Sequence, residues 1–277
     1  MKASKKGGYS NGYLQETKLM KKNSGNLKKR LEKGETVFGT WSSIPSASLV
    51  NIIGAAGMDF IVIDTEHGPI SIETAENLVR AADVTGLEPI IRVSTNQPSL
   101  ILQALDIGAS GVQVPHIQSI KDAEIAIQSV KYYPKGKRGY SPFTRAGNYG
   151  LNLDQHCKKS NSDTMIILNL EGVNGLRNMK EIVKLDDIDV IFIGPYDLSQ
   201  SLGKPGKTRS KDVINAIRDA VAVTKRYNIA CGCFAHNDEY LKLLIDFGVR
   251  YITYMVDSSL MMHACREAVE VFNLHKS

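Results

Sequence analysis

Short apolar runs of four to six residues alternate along this chain with longer amphipathic stretches, and the alternation predicts β-strands followed by α-helices. The strand-like runs are Val37 to Trp41, Phe60 to Ile63, Pro89 to Arg92, Gly111 to Val114, Met165 to Leu170, Val190 to Ile193, Ala230 to Cys233 and Tyr251 to Tyr254. Helix-like stretches follow them at Ser46 to Gly57, Ser71 to Val84, Pro98 to Ile107, Ser119 to Lys131, Gly175 to Lys184, Asp212 to Tyr227, Asp238 to Phe247 and Ser258 to Leu274. Local signals agree: Ser71 stands at a helix start with Glu73 and Glu76 in the first turns, and Pro98 opens a helix that Gly108 closes. Eight βα units in a chain of 277 residues predict a (β/α)8 TIM barrel. No Gly-rich dinucleotide fingerprint follows the first strand, which argues against an open doubly wound sheet.

The ends of the strand runs carry the chemistry. Ile61-Val62-Ile63 runs into Asp64-Thr65-Glu66-His67, Ile90-Ile91 into Arg92, Val114-Pro115 into His116, Leu168-Asn169-Leu170 into Glu171, and Ile193 into Gly194-Pro195-Tyr196-Asp197. In a parallel barrel these ends meet on one face, where such enzymes place their active sites. Glu171 and Asp197 end adjacent strands, so two carboxylates can converge on a hard cation, and an oxygen-rich set suits Mg²⁺ or Mn²⁺, with Co²⁺ also possible. The competing structural reading makes such carboxylates helix caps or arginine partners. His67, beside Asp64 and Glu66, is a candidate general base, and Arg92 a candidate stabiliser of an oxyanion, with a plain salt bridge as its alternative role. His116 either lines the pocket or bonds a neighbouring loop. No Lys lies in or ends the runs Met165 to Leu170, Val190 to Ile193 or Tyr251 to Tyr254, which argues against Schiff-base catalysis from these strands. The loops after strands seven and eight lack a Gly-rich phosphate cradle, which favours a non-phosphorylated substrate.

Charge adds a boundary. Residues 1 to 33 hold ten Lys or Arg against Glu16 and Glu32, a net +8 that leaves −3 for the rest of a chain whose total is +5. The basic signal therefore belongs to an N-terminal extension, read as flexible, and residues 34 to 277 form the barrel; nothing in the body suggests a nucleic-acid-binding fold. The extension lacks the apolar core of a signal peptide and no other run approaches a membrane span, so the expected location is cytoplasmic. Four cysteines, at 157, 231, 233 and 265, show no metal-ligand spacing and are expected to be reduced and structural. The charged and aromatic stretch from Lys131 to Thr164 breaks the regular spacing and is expected on the catalytic side, after the fourth strand, as a lid or an interface.

At Ile63-Asp64-Thr65-Glu66-His67, Leu105-Asp106-Ile107-Gly108, Val114-Pro115, Arg138-Gly139 with Arg145-Ala146, and Gly194-Pro195-Tyr196-Asp197-Leu198-Ser199, the chain resembles the metal-dependent (class II) pyruvate aldolases of the 4-hydroxy-2-oxoheptanedioate (HpcH/HpaI) family. The likeness runs from about Val37 to Phe272. It implies cleavage of a 4-hydroxy-2-oxo acid to pyruvate and an aldehyde, with a divalent metal on Glu171 and Asp197. It further implies His67 as the acid/base group, Asp106 as the partner that orients it, Arg92 on the pyruvate oxygen with Asp64 in support, and Gly172, Gly194 and Pro195 around the carboxylate. Asn169, Tyr196 and Met255 stand where Gln, a small residue and Gly are frequent, departures that bear on the aldehyde. The resemblance also implies a homo-oligomer, often a hexamer, whose C-terminal helix packs on a neighbouring subunit. The alternative enzymatic reading is a sugar-acid aldolase of the 2-dehydro-3-deoxyglucarate type or an oxaloacetate decarboxylase on the same site. A decayed barrel that binds partners through its basic tail is the non-enzymatic alternative, against which the intact set His67, Arg92, Glu171 and Asp197 speaks.

Overall fold

The fold is that of a computed structural model describing residues 26–151 and 153–276; residues 1–25 of the basic extension lie outside the described residues. Eight parallel strands close into a barrel in sequence order. They are β1 (Val37–Ser42), β2 (Phe60–Asp64), β3 (Glu88–Arg92), β4 (Gly111–Val114), β5 (Met165–Asn169), β6 (Val190–Ile193), β7 (Ala230–Ala235) and β8 (Tyr251–Val256). Helices α2 (Ala47–Ala55), α3 (Ile72–Thr85), α4 (Pro98–Asp106), α5 (Ile120–Val130), α6 (Leu153–Asp163), α7 (Val173–Ile182), α8 (Pro195–Ser201), α9 (Lys211–Arg226), α10 (Asp238–Phe247) and α11 (Asp257–His275) follow the strands; α1 (Leu27–Glu32) precedes them. This is a (β/α)8 barrel.

Successive side chains on a strand face opposite ways, so each strand feeds two cores. Ile61 and Ile63 of β2, Ile91 of β3 and Ile166 and Leu168 of β5 pack outward against the helices. Phe60, Val62, Ile90, Met165, Ile167, Val190, Phe192 and Tyr251 point inward and fill the barrel. Phe60 and Tyr251 stack there with ring centroids 4.2 Å apart. Gly232 makes room for them: a Cβ on it would lie 2.8 Å from Phe192 and 3.1 Å from Tyr251.

The inner core reaches further toward the N-terminus than charge predicts. Asn26 caps α1 by accepting from the Lys29 amide at 3.2 Å. Leu27 and Leu31, four residues apart on one face, are 2% and 4% exposed and join the inner core. Residues 27–32 therefore close the floor of the barrel rather than belonging to a loose extension. Leu31→Ala is expected to cost about 2 to 4 kcal/mol, visible as an earlier urea midpoint, because the cavity left under the barrel cannot collapse; an unchanged midpoint would show that α1 is not part of the cooperative fold.

Residues 131 to 164 do not sit on the catalytic side. They follow α5 rather than β4, and a helix in a βα unit runs back to the face where strands begin. There Arg138 donates to Asp106 at 2.7 Å, Ala146 N donates to Asp106 O at 3.1 Å, Arg145 pairs with Asp83, and Lys131 Nζ donates to Asn161 O at 2.7 Å. Burial pushes the Lys131 ammonium down to about 8. Tyr133, Phe143 and Tyr149 of this segment are exposed. A lid over the strand ends of the same subunit is thus excluded.

All four cysteines are free; Cys231 and Cys233 are fully buried, as expected of structural thiols, but Cys265 is exposed on α11 and fills no core. That helix leaves the barrel: beyond Asp257 it buries none of its residues, and Met261, Met262, Val269, Phe272 and Leu274 are all more than half exposed. Its apolar side chains do not pack on their own barrel. Among the described residues no helix is long and apolar enough to cross a membrane.

Candidate active site

The inward-facing columns of the barrel continue past its apolar fill. On β2 the column Phe60, Val62 ends in Asp64; on β3 Ile90 is followed by Arg92; on β5 Met165 and Ile167 lead to Asn169 and Glu171. These side chains, with His67, Gly194, Pro195, Tyr196 and Asp197, line a cavity of about 540 Å³ at the C-terminal strand ends, a volume within the range of small-molecule sites.

Glu171 and Asp197 face each other across Gly194. A Cβ on Gly194 would lie 3.5 Å from Asp197 Oδ2 and 3.6 Å from Glu171 Oε2, so the glycine leaves open the space both carboxylates border. Asp197 lies in the first turn of α8. Glu171 is buried; its Oε1 accepts from the His116 backbone N–H at 2.7 Å, and its Oε2 from Asn169 Nδ2 at 3.4 Å. Burial raises the Glu171 carboxyl above the usual carboxylate range; the His116 contacts oppose that shift, and the charges of Asp197 and Glu66 add to it. His116 is not among the residues lining the cavity; it bonds the neighbouring loop after β2 and, in addition, Glu171. From a left-handed backbone position (φ 57°) its Nδ1 lies 2.9 Å from Glu171 Oε1 and its Nε2 3.0 Å from Glu66 Oε1.

Arg92 is held from three sides. Its Nε donates to Asp64 Oδ1 at 2.9 Å and its Nη2 to Asp64 Oδ2 at 2.5 Å, a bidentate fork. Nη1 lies 3.1 Å from Glu66 Oε2, and the guanidinium carbon stacks 4.3 Å from the Trp41 ring centroid. The salt bridge and the pocket position are therefore the same residue's two faces. Of four neighbouring carboxylates, Asp64 and Glu66 pair with the guanidinium while Glu171 and Asp197 face each other beyond it, and this surplus of negative charge is what a divalent cation would offset. Among the described residues no three His, Cys, Asp or Glu side chains form a complete cage. The open pair Glu171 and Asp197 fits a cation of the Mg²⁺ kind, which keeps waters and takes further oxygens from substrate.

His67 stands exposed at the rim, its backbone N–H donating to Asp64 Oδ1 at 3.1 Å, as the Glu66 N–H does at 3.0 Å. Asp64 thus shapes the loop that carries His67 as well as anchoring Arg92. Asp106 is not brought to His67. It ends α4, which returns to the opposite end of the barrel, and there it accepts from Arg138. Nor does Gly172 reach the cavity wall; it caps α7 beside Ser201.

A sequence profile of the HpcH/HpaI aldolase/citrate lyase family matches residues 37–264. The chain belongs to this family. It is 32% identical over 237 residues to a 2-dehydro-3,6-dideoxy-6-sulfogluconate aldolase of Pseudomonas putida, covering 86% of this chain and 92% of that one. It is 31% identical over 238 residues to a hydroxypyruvate/pyruvate aldolase of Roseobacter denitrificans, covering 86% and 93%. A crystal structure of an HpcH/HpaI aldolase/citrate lyase family protein from Burkholderia cenocepacia superposes with a TM-score of 0.86 at 31% identity, covering 90% of this chain and all of that one. As a member of this family the protein is a carbon-carbon lyase.

Several walls of the lyase cavity are not apparent from charged strand ends. Trp41 and Ser43 of the β1 column, Phe192 under Gly194, Phe234 and His236 of the β7 column, and Met255 of β8 all line it. Their signal was parity: Ala230, Gly232, Phe234 and His236 occupy one face of β7 and its extension, and an apolar run read only to Cys233 stops short of it.

Proposed function

We propose that this lyase cleaves a 4-hydroxy-2-oxo acid to pyruvate and an aldehyde, reversibly, through the pyruvate enolate. The observation that carries the reading is the convergence of Glu171, Asp197, Arg92 and His67 on one cavity. A divalent cation (Mg²⁺, Mn²⁺ or Co²⁺) held by Glu171 and Asp197 would supply Lewis acidity at the keto and carboxylate oxygens of the substrate. Arg92, fixed on Asp64, places a permanent positive charge where the 2-oxo oxygen gains electrons. His67 takes the proton from the C4 hydroxyl; the C4–O bond becomes a carbonyl, the C3–C4 pair moves into the C2–C3 bond, and the aldehyde departs. Protonation at C3 then gives the methyl group of pyruvate. Asn169 and the Gly194-Pro195 backbone border the space for the carboxylate, and His116 fixes Glu171 and Glu66 relative to each other.

Pyruvate release from 4-hydroxy-2-oxopentanoate, followed with and without EDTA, tests the reading; turnover that ignores the chelator would reject the cation's part in it. His67→Ala is expected to slow this cleavage by about 10² to 10⁴ while sparing proton exchange at the pyruvate methyl group more than cleavage. Equal loss of both reactions would give His67 a more general role. The Pseudomonas putida relative, named for a sulfonated sugar acid, supports a second reading in which the substrate is a 2-dehydro-3-deoxy sugar acid; oxaloacetate decarboxylation would draw on the same groups.

The exposed Met261, Met262, Val269, Phe272 and Leu274 of α11 support a homo-oligomer, a hexamer by family resemblance, in which this helix is covered by another subunit. Light scattering that returned a monomer would reject it. Buried free thiols at Cys231 and Cys233 are compatible with the cytoplasm.

A further inference from the structure

The cavity is divided around the barrel. Its polar arc, from β2, β3, β5 and β6, holds Asp64, Arg92, Glu171 and Asp197, while its other arc, from β7, β8 and β1, presents Phe234, Met255, Val256 and Trp41. Tyr196 stands where the arcs meet, its ring centroid 6.0 Å from that of Phe234 and 6.1 Å from that of His236.

Met255 is the unusual member. Gly39 pairs with Thr253 and Trp41 with Val256, so three residue steps on β8 oppose two on β1 and the register shifts between them. Within this bulge Met255 adopts φ 53°, a left-handed conformation that a residue with a side chain adopts at a cost. Thr40 Oγ1 donates to the Met255 carbonyl at 3.2 Å and helps hold it there. The bulge places an apolar, flexible side chain on the cavity wall.

The charges are equally one-sided. Among the described residues lining the cavity, Arg92 is the one permanent cation, and Asp64 and Glu66 already occupy it. The Ser43 hydroxyl is committed to Asp257 at 2.8 Å. His236 offers a hydrogen bond rather than a counter-charge: its Nδ1 is buried without a partner, and burial, then the nearby Arg209 charge, favour the neutral ring.

We propose that the β7–β8–β1 side of the cavity is the acceptor pocket for an uncharged, apolar aldehyde, and that Met255, set in place by the β8 bulge, is the specificity-determining residue together with Phe234 and Tyr196. This rests on the aldolase reading above and narrows it. A carboxylated aldehyde would surrender its hydration to a largely apolar wall among whose described lining residues no Lys or Arg stands, whereas an alkyl tail gains by burial.

The test compares a shape-matched pair. With pyruvate and Mg²⁺ or Mn²⁺, the wild-type protein is given 4-methylpentanal or succinic semialdehyde, whose carboxylate has the outline of the isopropyl group. The expected kcat/KM ratio favours 4-methylpentanal by roughly 100-fold. Met255→Gly keeps a residue suited to positive φ and is expected to cut that ratio by about tenfold, since both aldehydes are read in the same folded variant. Pyruvate methyl exchange without any aldehyde is run beside it. Exchange in the wild type combined with equal or better use of succinic semialdehyde overturns the proposal alone. No exchange removes the aldolase reading and the proposal with it, and an unchanged ratio in Met255→Gly removes the role given to Met255.

Discussion

Glu171→Gln and Asp197→Ala are each expected to lower turnover of a 4-hydroxy-2-oxo acid by at least about 1000-fold, equivalent to roughly 4 kcal/mol of lost transition-state stabilisation. The Gln variant keeps the shape of Glu171 and removes its charge; its one amide oxygen can still accept from the His116 backbone N–H, while its nitrogen faces the Asn169 Nδ2 donor and gives up the longer 3.4 Å contact. The fold should therefore survive. What goes is the charge of one of the two carboxylates proposed to hold the cation, and with it much of the cation's affinity for this part of the cavity. Saturating Mn²⁺ should recover part of the activity if weakened cation binding is the cause. Full activity in either variant, at micromolar metal, would reject the assignment of this pair.

Arg92→Ala has the second large effect, and it acts on two quantities at once. Arg92 is the partner of Asp64 through two hydrogen bonds and lies 3.1 Å from Glu66, so its removal takes the counter-charge from the buried Asp64 and the half-buried Glu66, leaving Asp64 only backbone N–H donors and Glu66 its contact with His116. Breaking such a pair from one side costs about 3 to 5 kcal/mol of stability. Arg92→Lys separates this from catalysis, because it returns a charge without the planar fork. The lysine variant is expected to fold while losing about 10² to 10³ in both cleavage and pyruvate proton exchange. Exchange at wild-type rates in the folded lysine variant would move Arg92 from the pyruvate end of the cavity to the aldehyde end.

The barrel was legible because its two signals are local and repeated: apolar runs of strand length, and helices with their own start and stop residues, Ser71 opening one and Pro98 and Gly108 bracketing another. The polar arc was legible for a similar reason, since Asp64, Arg92, Glu171 and Asp197 interrupt apolar runs where charge is costly. Four features were not. Lys28, Lys29 and Arg30 give α1 the composition of a tail, and only the spacing of Leu27 and Leu31 marks the face that the barrel buries. Residues 131 to 164 go to the wrong face when counted from β4 instead of from the end of α5. Asp106 belongs to a motif of the resemblance but sits at the far end of a helix, and one subunit cannot bring it to His67. Met255 was marked by the sequence as standing where Gly is frequent, but the bulge that seats it was not legible, because a register shift is a property of two strands and β8 alone does not reveal it.

The measurement that tests the central claim most directly is hydrogen-deuterium exchange at the pyruvate methyl group, followed by NMR, first in EDTA and then with Mg²⁺, Mn²⁺ or Co²⁺ restored. It needs no aldehyde and isolates the step that Glu171, Asp197 and Arg92 are assigned to promote. The account predicts exchange that EDTA suppresses and at least one of these cations restores. Absence of exchange with every cation, in protein whose circular dichroism shows the barrel folded, would contradict it.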